Sequence, residues 1–184
     1  LVDMNVTSLN EADLEWADYA FSSAMSIQRT STYEVIARCK KAGIKVIAGG
    51  PLFTSEYNQF KDVDHFVMNE AELTLAPFLA DMEKGCADRI YSTSGFCDIR
   101  DTPSPMWDLL NMRHYASMSI QFSRGCPFNC EFCNVTALFG HRPRIKTSKQ
   151  IITELDGLWD RGWRGQIFFV DDNFIGNKAY LKSD

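Results

Sequence analysis

Three cysteines stand close together in the middle of the chain and could ligate a metal. Cys126, Cys130 and Cys133 follow the pattern C-x3-C-x2-C, so that eight consecutive residues carry three thiols. The preceding residues 118–122 read as a strand, which places the cysteines in the loop that follows it. Thiolates are soft ligands that select zinc, copper(I) or iron–sulfur clusters. The spacing therefore predicts a thiolate metal site in a loop.

The number of cysteines separates the candidate metals. A structural zinc site needs four ligands, usually as two distant pairs, and no second pair follows this loop. A cubane cluster in a ferredoxin takes four cysteines, so three would leave one iron without a protein ligand. An open iron can bind a small molecule, which turns an electron carrier into a catalytic site. A zinc knuckle and a disulfide-prone loop are the alternatives.

Composition excludes several other classes of protein. The chain has 184 residues, 45% of them hydrophobic and 23% charged, as in ordinary globular proteins. A net charge of −5 argues against a nucleic-acid surface, which needs clustered Lys and Arg. No apolar run approaches the ~18–20 residues of a transmembrane helix, and no signal peptide opens the chain. The other three cysteines are scattered singly, so we expect a cytoplasmic protein.

The first half of the chain alternates strand and helix patterns. Strands or extended segments are expected at residues 1–6, 18–25, 44–48 and 63–68, and helices at residues 10–17, 31–42 and 70–84. Short connections between such elements are typical of a doubly wound parallel sheet. Ligands on these sheets bind at the carboxyl ends of the strands. Ser23 and the pair Gly49-Gly50 fall at two such ends.

The second half begins after a stretch without periodicity. Residues 91–115 contain Ser, Thr, Gly and two prolines, and we interpret them as a linker between domains. A strand at 116–122, a helix at 148–161 and a strand at 166–170 then predict two βα units of an α/β barrel. Asp171, Asp172 and Asn173 follow the second strand, at the end where such barrels carry their active sites. Because the chain opens with Leu1 and stops just after the expected start of a helix, we expect a fragment of a longer protein.

The cysteine loop resembles the C-x3-C-x-aromatic-C signature of the radical S-adenosylmethionine (SAM) enzymes, with Phe132 in the aromatic position. The resemblance implies a [4Fe-4S] cluster on the three cysteines, whose open iron binds the amino and carboxylate groups of SAM. It also implies that SAM is cleaved to a 5′-deoxyadenosyl radical. The expected fold of residues 116–184 is the start of a partial (βα)6 TIM-like barrel. Phe132 is expected either to cover the adenine of SAM or to pack within the loop. Of Asp171, Asp172 and Asn173, at least one is expected to contact SAM, the alternative being that they cap the next helix.

Residues 1–90 resemble the Rossmann-like cobalamin (B12)-binding domain that precedes the barrel in one subfamily. That resemblance makes Ser23, Gly49 and Gly50 the expected cobalamin contacts. The D-x-H-x-x-G loop that carries the cobalt ligand in B12-dependent mutases is absent, which leaves the lower ligand open. Residues 69–72 resemble a G-E-x-E junction of this subfamily, with Asn69 in place of Gly. Glu70 and Glu72 there are expected to cap a helix or to contact another domain.

Residues 124–133 and 169–178 together look most like the branch that contains the hopanoid C-methylases. This resemblance implies a cobalamin-dependent methyltransferase acting on an unactivated carbon of a small molecule or lipid. It also implies an electron donor such as flavodoxin or ferredoxin. Asn134 departs from the acidic residue expected after the third cysteine.

Other outcomes stay open at the level of sequence. A radical SAM oxidative cyclase or methylthiotransferase would share the cysteine loop, although the latter usually carries further cluster cysteines. A non-catalytic iron–sulfur, cobalamin or zinc module is the alternative from another class. Arg124, His141 and Arg142 flank the cysteines and either bring positive charge to the site or are solvated loop charges. His141 as a fourth cluster ligand would exclude SAM chemistry.

Overall fold

The computed structural model describes residues 1–174, which divide into two compact units. Residues 8–97 form the first unit. Residues 1–7 and the described residues from 98 onward form the second unit. The division falls inside the stretch predicted as a linker. Within the described part of the chain, no helix is long and apolar enough to cross a membrane.

The first unit is built on a four-stranded parallel sheet whose strands are neighbours in chain order. Its strands are β1 (Tyr19–Ser23), β2 (Lys45–Gly49), β3 (His65–Val67) and β4 (Ile90–Tyr91). Its helices are α1 (Glu11–Trp16), α2 (Arg29–Lys41), α3 (Pro51–Glu56) and α4 (Ala71–Glu83). Short 3-10 turns follow β1 and α3, at Ser26–Gln28 and Tyr57–Gln59.

Side chains of β2 and β3 alternate between two hydrophobic clusters, as a strand's period of two requires. Val46 and Phe66 belong to a buried cluster shared with α2 and α3. Ile47 and Val67 belong to another, together with Phe78 of α4. The helices therefore cover both faces of a parallel sheet, which confirms the predicted α/β class.

Three predictions for the first hundred residues were wrong in detail. Residues 1–6 form a turn, with Val6 N and Thr7 N donating to Asp3 O at 3.0 and 2.9 Å, rather than a strand. The strand at residues 18–25 was predicted to be buried, but β1 lies at the sheet edge and Phe21 is 58% exposed. Ser31 was predicted to cap the helix at residues 31–42, but α2 begins at Arg29, so Ser31 lies inside the helix.

Asp64 ties α2 to the start of β2 and gives the unit a pH-dependent contact. Its Oδ2 accepts from Val46 N at 2.7 Å, and its carboxylate pairs with Lys40 Nζ at 2.9 Å. Partial burial raises the pKa of Asp64, but these two partners outweigh it and hold the pKa below 3.8. The contact therefore stabilises the fold above the unfolded pKa and weakens as pH falls through the lower, folded pKa.

We expect Asp64→Asn to lower the free energy of unfolding by about 1 kcal/mol at pH 7, because the charge-assisted bonds are lost. The difference from wild type should shrink in acid, where the wild-type carboxylate is protonated as well. Urea denaturation between pH 7 and pH 3 measures both values. Asp62→Asn, at an exposed neighbouring carboxylate, is the control. A difference that grows in acid would contradict the assignment.

The second unit contains a β-α-β arrangement and a small hairpin. Its strands are β5 (Ser117–Ile120), β6 (Ser123–Arg124), β7 (Arg144–Ile145) and β8 (Gln166–Phe169). Its α-helices are α5 (Val135–Phe139) and α6 (Ser148–Asp160), and 3-10 turns cover Ile99–Asp101, Trp107–Leu109 and Met112–His114. β5 and β8 pair in parallel, and β6 pairs antiparallel with β7.

The core of the second unit lies between this parallel pair and α6. Met118 and Ile120 of β5 are buried with Ile151 and Leu158 of α6, and Trp107 joins them. Thr147 begins α6 through a reciprocal capping box with Gln150. The order β5, α6, β8 is the one predicted from the sequence for residues 116–170, and its continuation into a barrel stays a prediction. The helix expected at the end of the chain lies outside the described residues.

Candidate functional site

The three cysteines lie on one long loop, residues 125–143, which we name the cluster loop. It leaves β6 and returns through β7, and the antiparallel pairing of Arg124 with Arg144 closes its base. Cys126 N donates to Gly140 O at 3.2 Å just above that pairing. Because both ends of the loop are tied together, its start is fixed by backbone contacts rather than by the cysteines.

Gly125 occupies a position in the neck of this loop that no other residue fits. Its φ is +93°, in the left-handed region that side chains rarely adopt. A Cβ at this position would lie 2.7 Å from Arg142 O and 3.1 Å from both Gly140 O and Phe139 O. A side chain at this position would therefore be disfavoured twice, by the three neighbouring carbonyl oxygens and by the left-handed backbone conformation.

The thiols of the three cysteines differ in exposure. Cys126 is half-buried in the neck, whereas Cys130 and Cys133 are exposed further along the loop. Cys133 N donates to Cys130 O at 3.0 Å, so a single turn carries these two. Over residues 1–174, no group of three or more His, Cys, Asp or Glu side chains is arranged to hold a metal ion. Ligation thus stays a prediction, and three free thiols on one exposed loop have the donor chemistry that it needs.

Asp171, predicted to contact SAM, is committed to the base of the cluster loop. Its Oδ2 accepts from Phe122 N at 3.0 Å. Its Oδ1 accepts from Ser123 N, and from Ser123 Oγ at 2.5 Å. The carboxylate that follows β8 therefore holds the two residues through which the chain enters β6. Sequence analysis missed this contact, which joins residues 48 and 49 positions apart.

The other predicted SAM contacts lie near the same strand end or on the loop. Asn173 Nδ2 lies 3.7 Å from Cys126 Sγ, within the range of an N–H···S hydrogen bond. Asp172 is exposed, and partial desolvation together with the charge of Asp171 raises its pKa. Phe132 is 94% exposed. The structure thus brings Asn173 to the first cysteine and leaves Asp172 and Phe132 on the surface.

A buried ion pair lies beneath the loop. Lys146 Nζ contacts Glu154 Oε1 at 2.6 Å, and both side chains are nearly inaccessible to solvent. Lys146 N also donates to Phe122 O at 2.9 Å. The pair joins α6 to the end of β7, the strand to which the cluster loop returns. The sequence offered no signal for it, since a Lys and a Glu eight residues apart read as surface charges.

In the first unit, the residues predicted to contact cobalamin come together at the carboxyl ends of β1 and β2. Ser23 is the register partner of Gly49. A Cβ on Gly50, whose φ is +83°, would lie 2.4 Å from Ser23 Oγ, and one on Gly49 would lie 2.5 Å from Val67 O. Close approach by protein atoms therefore explains both glycines. Their contact with a ligand stays a prediction.

The junction after β3 has a structural explanation as well. Asn69 stands in place of the Gly of the G-E-x-E junction and adopts a left-handed φ of 64°, a conformation that glycine and asparagine tolerate better than other residues. Its Oδ1 accepts from Thr93 N at 3.2 Å. Glu70 is buried and its Oε2 accepts from Cys97 N at 2.7 Å. Glu70 thus stands at the N-cap position of α4 but binds a later segment of the same unit instead of capping the helix.

Comparison with known proteins gives relatives over the whole chain, although no protein-family model matches it. An uncharacterized methyltransferase of Synechocystis sp. is 43% identical over 184 residues, which are 99% of this chain. The hopanoid C-2 methylase of Rhodopseudomonas palustris is 35% identical over 181 residues, or 96% of this chain. The chain spans about a third of the length of these relatives, 34% in each case.

The fold is also found in a solved structure. The radical S-adenosylmethionine methyltransferase TsrM of Kitasatospora setae aligns with a TM-score of 0.63 at 14% identity, over 85% of this chain and 38% of that one. At this identity the likeness shows a shared fold. The matched residues span both units. The chain is therefore related over nearly its whole length to proteins named as methyltransferases, among them the hopanoid C-2 methylase, and it shares its fold with a radical SAM methyltransferase.

Proposed function

We propose that this chain carries the cofactor-binding part of a cobalamin-dependent radical SAM enzyme that methylates an unactivated carbon. The observation that carries the proposal is the cluster loop itself. Three free thiols in the order C-x3-C-x-F-C stand on a loop closed at its base by β6 and β7. The loop leaves β6, which follows β5, and Asp171 and Asn173 come directly after β8, the parallel partner of β5. The chain is also 35% identical to a hopanoid C-2 methylase.

In this proposal, the thiolates of Cys126, Cys130 and Cys133 hold a [4Fe-4S] cluster and leave one iron for the amino and carboxylate groups of SAM. When bound, these cofactors supply reductive cleavage of SAM and methyl transfer through cobalamin. The exposure of Cys130 and Cys133 suits this role, because their sulfurs are accessible for assembly of the cluster. The half-buried Cys126 anchors the site at the closed neck of the loop.

Phe132 and at least one residue of the 171–173 turn are proposed to contact SAM. Asp172 is the best candidate in that turn, because it is exposed, whereas Asp171 already contacts Ser123 and Asn173 already contacts Cys126. Its carboxylate could accept from the ammonium or ribose hydroxyl groups of SAM. The exposed ring of Phe132 offers a face for adenine, and stacking on such a ring is favourable.

The domain assignment belongs to the same proposal. Residues 1–90 would be a cobalamin-binding Rossmann-like domain, residues 91–115 a linker, and the chain from 116 onward the start of a (βα)6 barrel. Parallel strands with helices on both faces support the first part, and the parallel pair β5–β8 joined through α6 supports the last. An electron donor such as flavodoxin or ferredoxin would deliver the reducing electron. The substrate class is a small molecule or lipid.

We expect Ser23→Leu to weaken cobalamin binding by about tenfold or more, because the added bulk would crowd the strand ends at Gly49 and Gly50. The absorbance of cobalamin retained after gel filtration measures the loss. Ser55→Leu, at an exposed position of α3, is the matched control and should retain cobalamin as wild type does. Equal retention by both variants would contradict a cobalamin site at these strand ends.

The reaction itself is tested with SAM that carries a deuterated methyl group, under anaerobic reducing conditions with cobalamin. The proposal predicts formation of 5′-deoxyadenosine and appearance of the label on a carbon of the substrate, with a hopanoid as the first substrate tried. 5′-Deoxyadenosine without labelled product would favour a different radical outcome, such as cyclisation. Cys126→Ala should form neither product.

A further inference from the structure

The turn after β8 contacts the cluster loop at Cys126 and the residues that lead into β6 at Phe122 and Ser123. Both contacts involve residues whose expected partner was SAM. Asp171 accepts three hydrogen bonds from Phe122 and Ser123, at the entrance to β6. Asn173, two residues after Asp171, lies within hydrogen-bond distance of the sulfur of Cys126. The two contacts lie on either side of Gly125, so together they fix the neck of the loop from one adjacent strand end.

We propose that Asp171 and Asn173 are positioning residues for the cluster rather than SAM ligands. Asp171 orients the backbone that delivers Cys126, and Asn173 donates an N–H···S hydrogen bond to the Cys126 thiolate. This inference rests on the proposed function, because it assumes that Cys126 ligates the cluster. It goes beyond that function by assigning these residues to the loop and to the electronics of one sulfur.

Geometry supports the role of Asp171. Both of its carboxylate oxygens are engaged, one with Phe122 N and the other with the amide and hydroxyl of Ser123. Ser123 is buried and Asp171 is half-buried, so solvent does not compete freely for these bonds. Charge-assisted bonds to backbone N–H groups are stronger than neutral ones and hold a chain segment in one orientation.

The chemistry of sulfur supports the role of Asn173. The amide Nδ2 is a donor, and Cys126 Sγ lies 3.7 Å from it. Hydrogen bonds to ligating sulfurs stabilise negative charge on a cluster, and reduction adds one negative charge. The reduced cluster therefore gains more from this bond than the oxidised cluster does. Loss of the bond should make the cluster harder to reduce.

The test of Asn173 measures reduction potential rather than activity. The protein is reconstituted with iron and sulfide, titrated at controlled potentials, and followed by the EPR signal of the reduced cluster. At a fixed applied potential, Asn173→Leu should lower the ratio of reduced to oxidised cluster by about tenfold, equivalent to about 59 mV for one electron. Leu matches Asn in size but cannot donate. Asn58→Leu, at an exposed position of the first unit, is the control.

Two outcomes overturn the inference without touching the proposed function. One is a cluster in Asn173→Leu that titrates as the wild-type cluster does. The other is the same result in Asn173→Ala, which also lacks a side-chain donor and is used if the Leu variant does not assemble a cluster. If the wild-type protein binds no cluster, the proposed function is wrong. If it binds a cluster whose potential does not depend on Asn173, only this inference is wrong.

The test of Asp171 needs no cofactor. Hydrogen exchange of the Phe122 and Ser123 amides in the apoprotein should be about tenfold faster in Asp171→Asn, because a neutral acceptor binds these amides less strongly. Ser123→Ala, which removes only the hydroxyl contact, should have a smaller effect of the same sign. Asp156→Asn, at an exposed carboxylate of α6, controls for the change of charge. Unchanged exchange in Asp171→Asn would overturn its positioning role.

Discussion

Replacement of any one of Cys126, Cys130 and Cys133 by alanine will reduce the iron content of the reconstituted protein to background and abolish cleavage of SAM. In the proposed site each cysteine supplies a separate ligand, and a three-ligand cluster would have no spare thiolate in the loop. Changes outside the ligand set of a metal already cost about 10–100-fold in affinity or activity, so loss of a ligand should exceed about 100-fold. Iron analysis and the yield of 5′-deoxyadenosine measure the two effects.

The matched control is Cys86→Ala, which removes an exposed thiol of the first unit. It should keep the iron content and the 5′-deoxyadenosine yield of wild type. If instead all four variants behave alike, the cysteine loop is not the cluster site. Retention of iron in a single variant such as Cys133→Ala would show that another side chain completes the ligand set, and His141 is the nearest histidine in sequence.

Gly125→Ala is expected to lower the free energy of unfolding by about 3 kcal/mol and to impair cluster assembly. A left-handed φ of +93° costs a non-glycine residue about 1–2 kcal/mol. Contact of the new methyl group with Arg142 O at 2.7 Å forces the backbone of the neck apart and costs about as much again. Urea denaturation followed by tryptophan fluorescence reports on the unit, since Trp107, Trp159 and Trp163 lie in it.

Gly162→Ala separates the two causes. Gly162 has nearly the same φ, +86°, but nothing lies within 4 Å of its built Cβ. It should therefore lose only the conformational part, about 1 kcal/mol, and assemble the cluster as wild type does. Equal losses in the two variants would mean that the three carbonyl groups around Gly125 do not restrict the loop.

The sequence predicted those parts of the molecule in which a local pattern decides the structure. β2, α4 and α6 were recognisable because each has an apolar run of the right period, bounded for β2 by Gly43 and for α6 by Gly162. The capping box of Thr147 was not recognised from the sequence. The cysteine loop was recognisable because its spacing is itself the chemical signal. The pairing of β6 with β7 at the base of this loop could not be recognised, because each strand has only two residues and no period can be read from them.

Contacts between distant residues could not be predicted from local patterns. Asp171 was correctly placed at a strand end but assigned to a ligand, because nothing in its neighbourhood reveals that Ser123 will lie beside it. The exposure of Phe21 follows from the edge position of β1, which depends on the order of strands. Gly49 and Gly50 were attributed to a ligand, and the approach of Val67 and Ser23 gives each glycine a structural reason that the sequence did not reveal. Their contact with a ligand stays a prediction.

The most direct test of the account is EPR of the reduced, reconstituted protein with and without SAM. We predict the signal of a [4Fe-4S] cluster that changes when SAM is added, because SAM binds the iron that the three cysteines leave open. The signal should be absent in Cys126→Ala. A colourless protein that binds zinc, or a cluster whose spectrum is indifferent to SAM, would contradict the assignment of the cluster loop to radical chemistry.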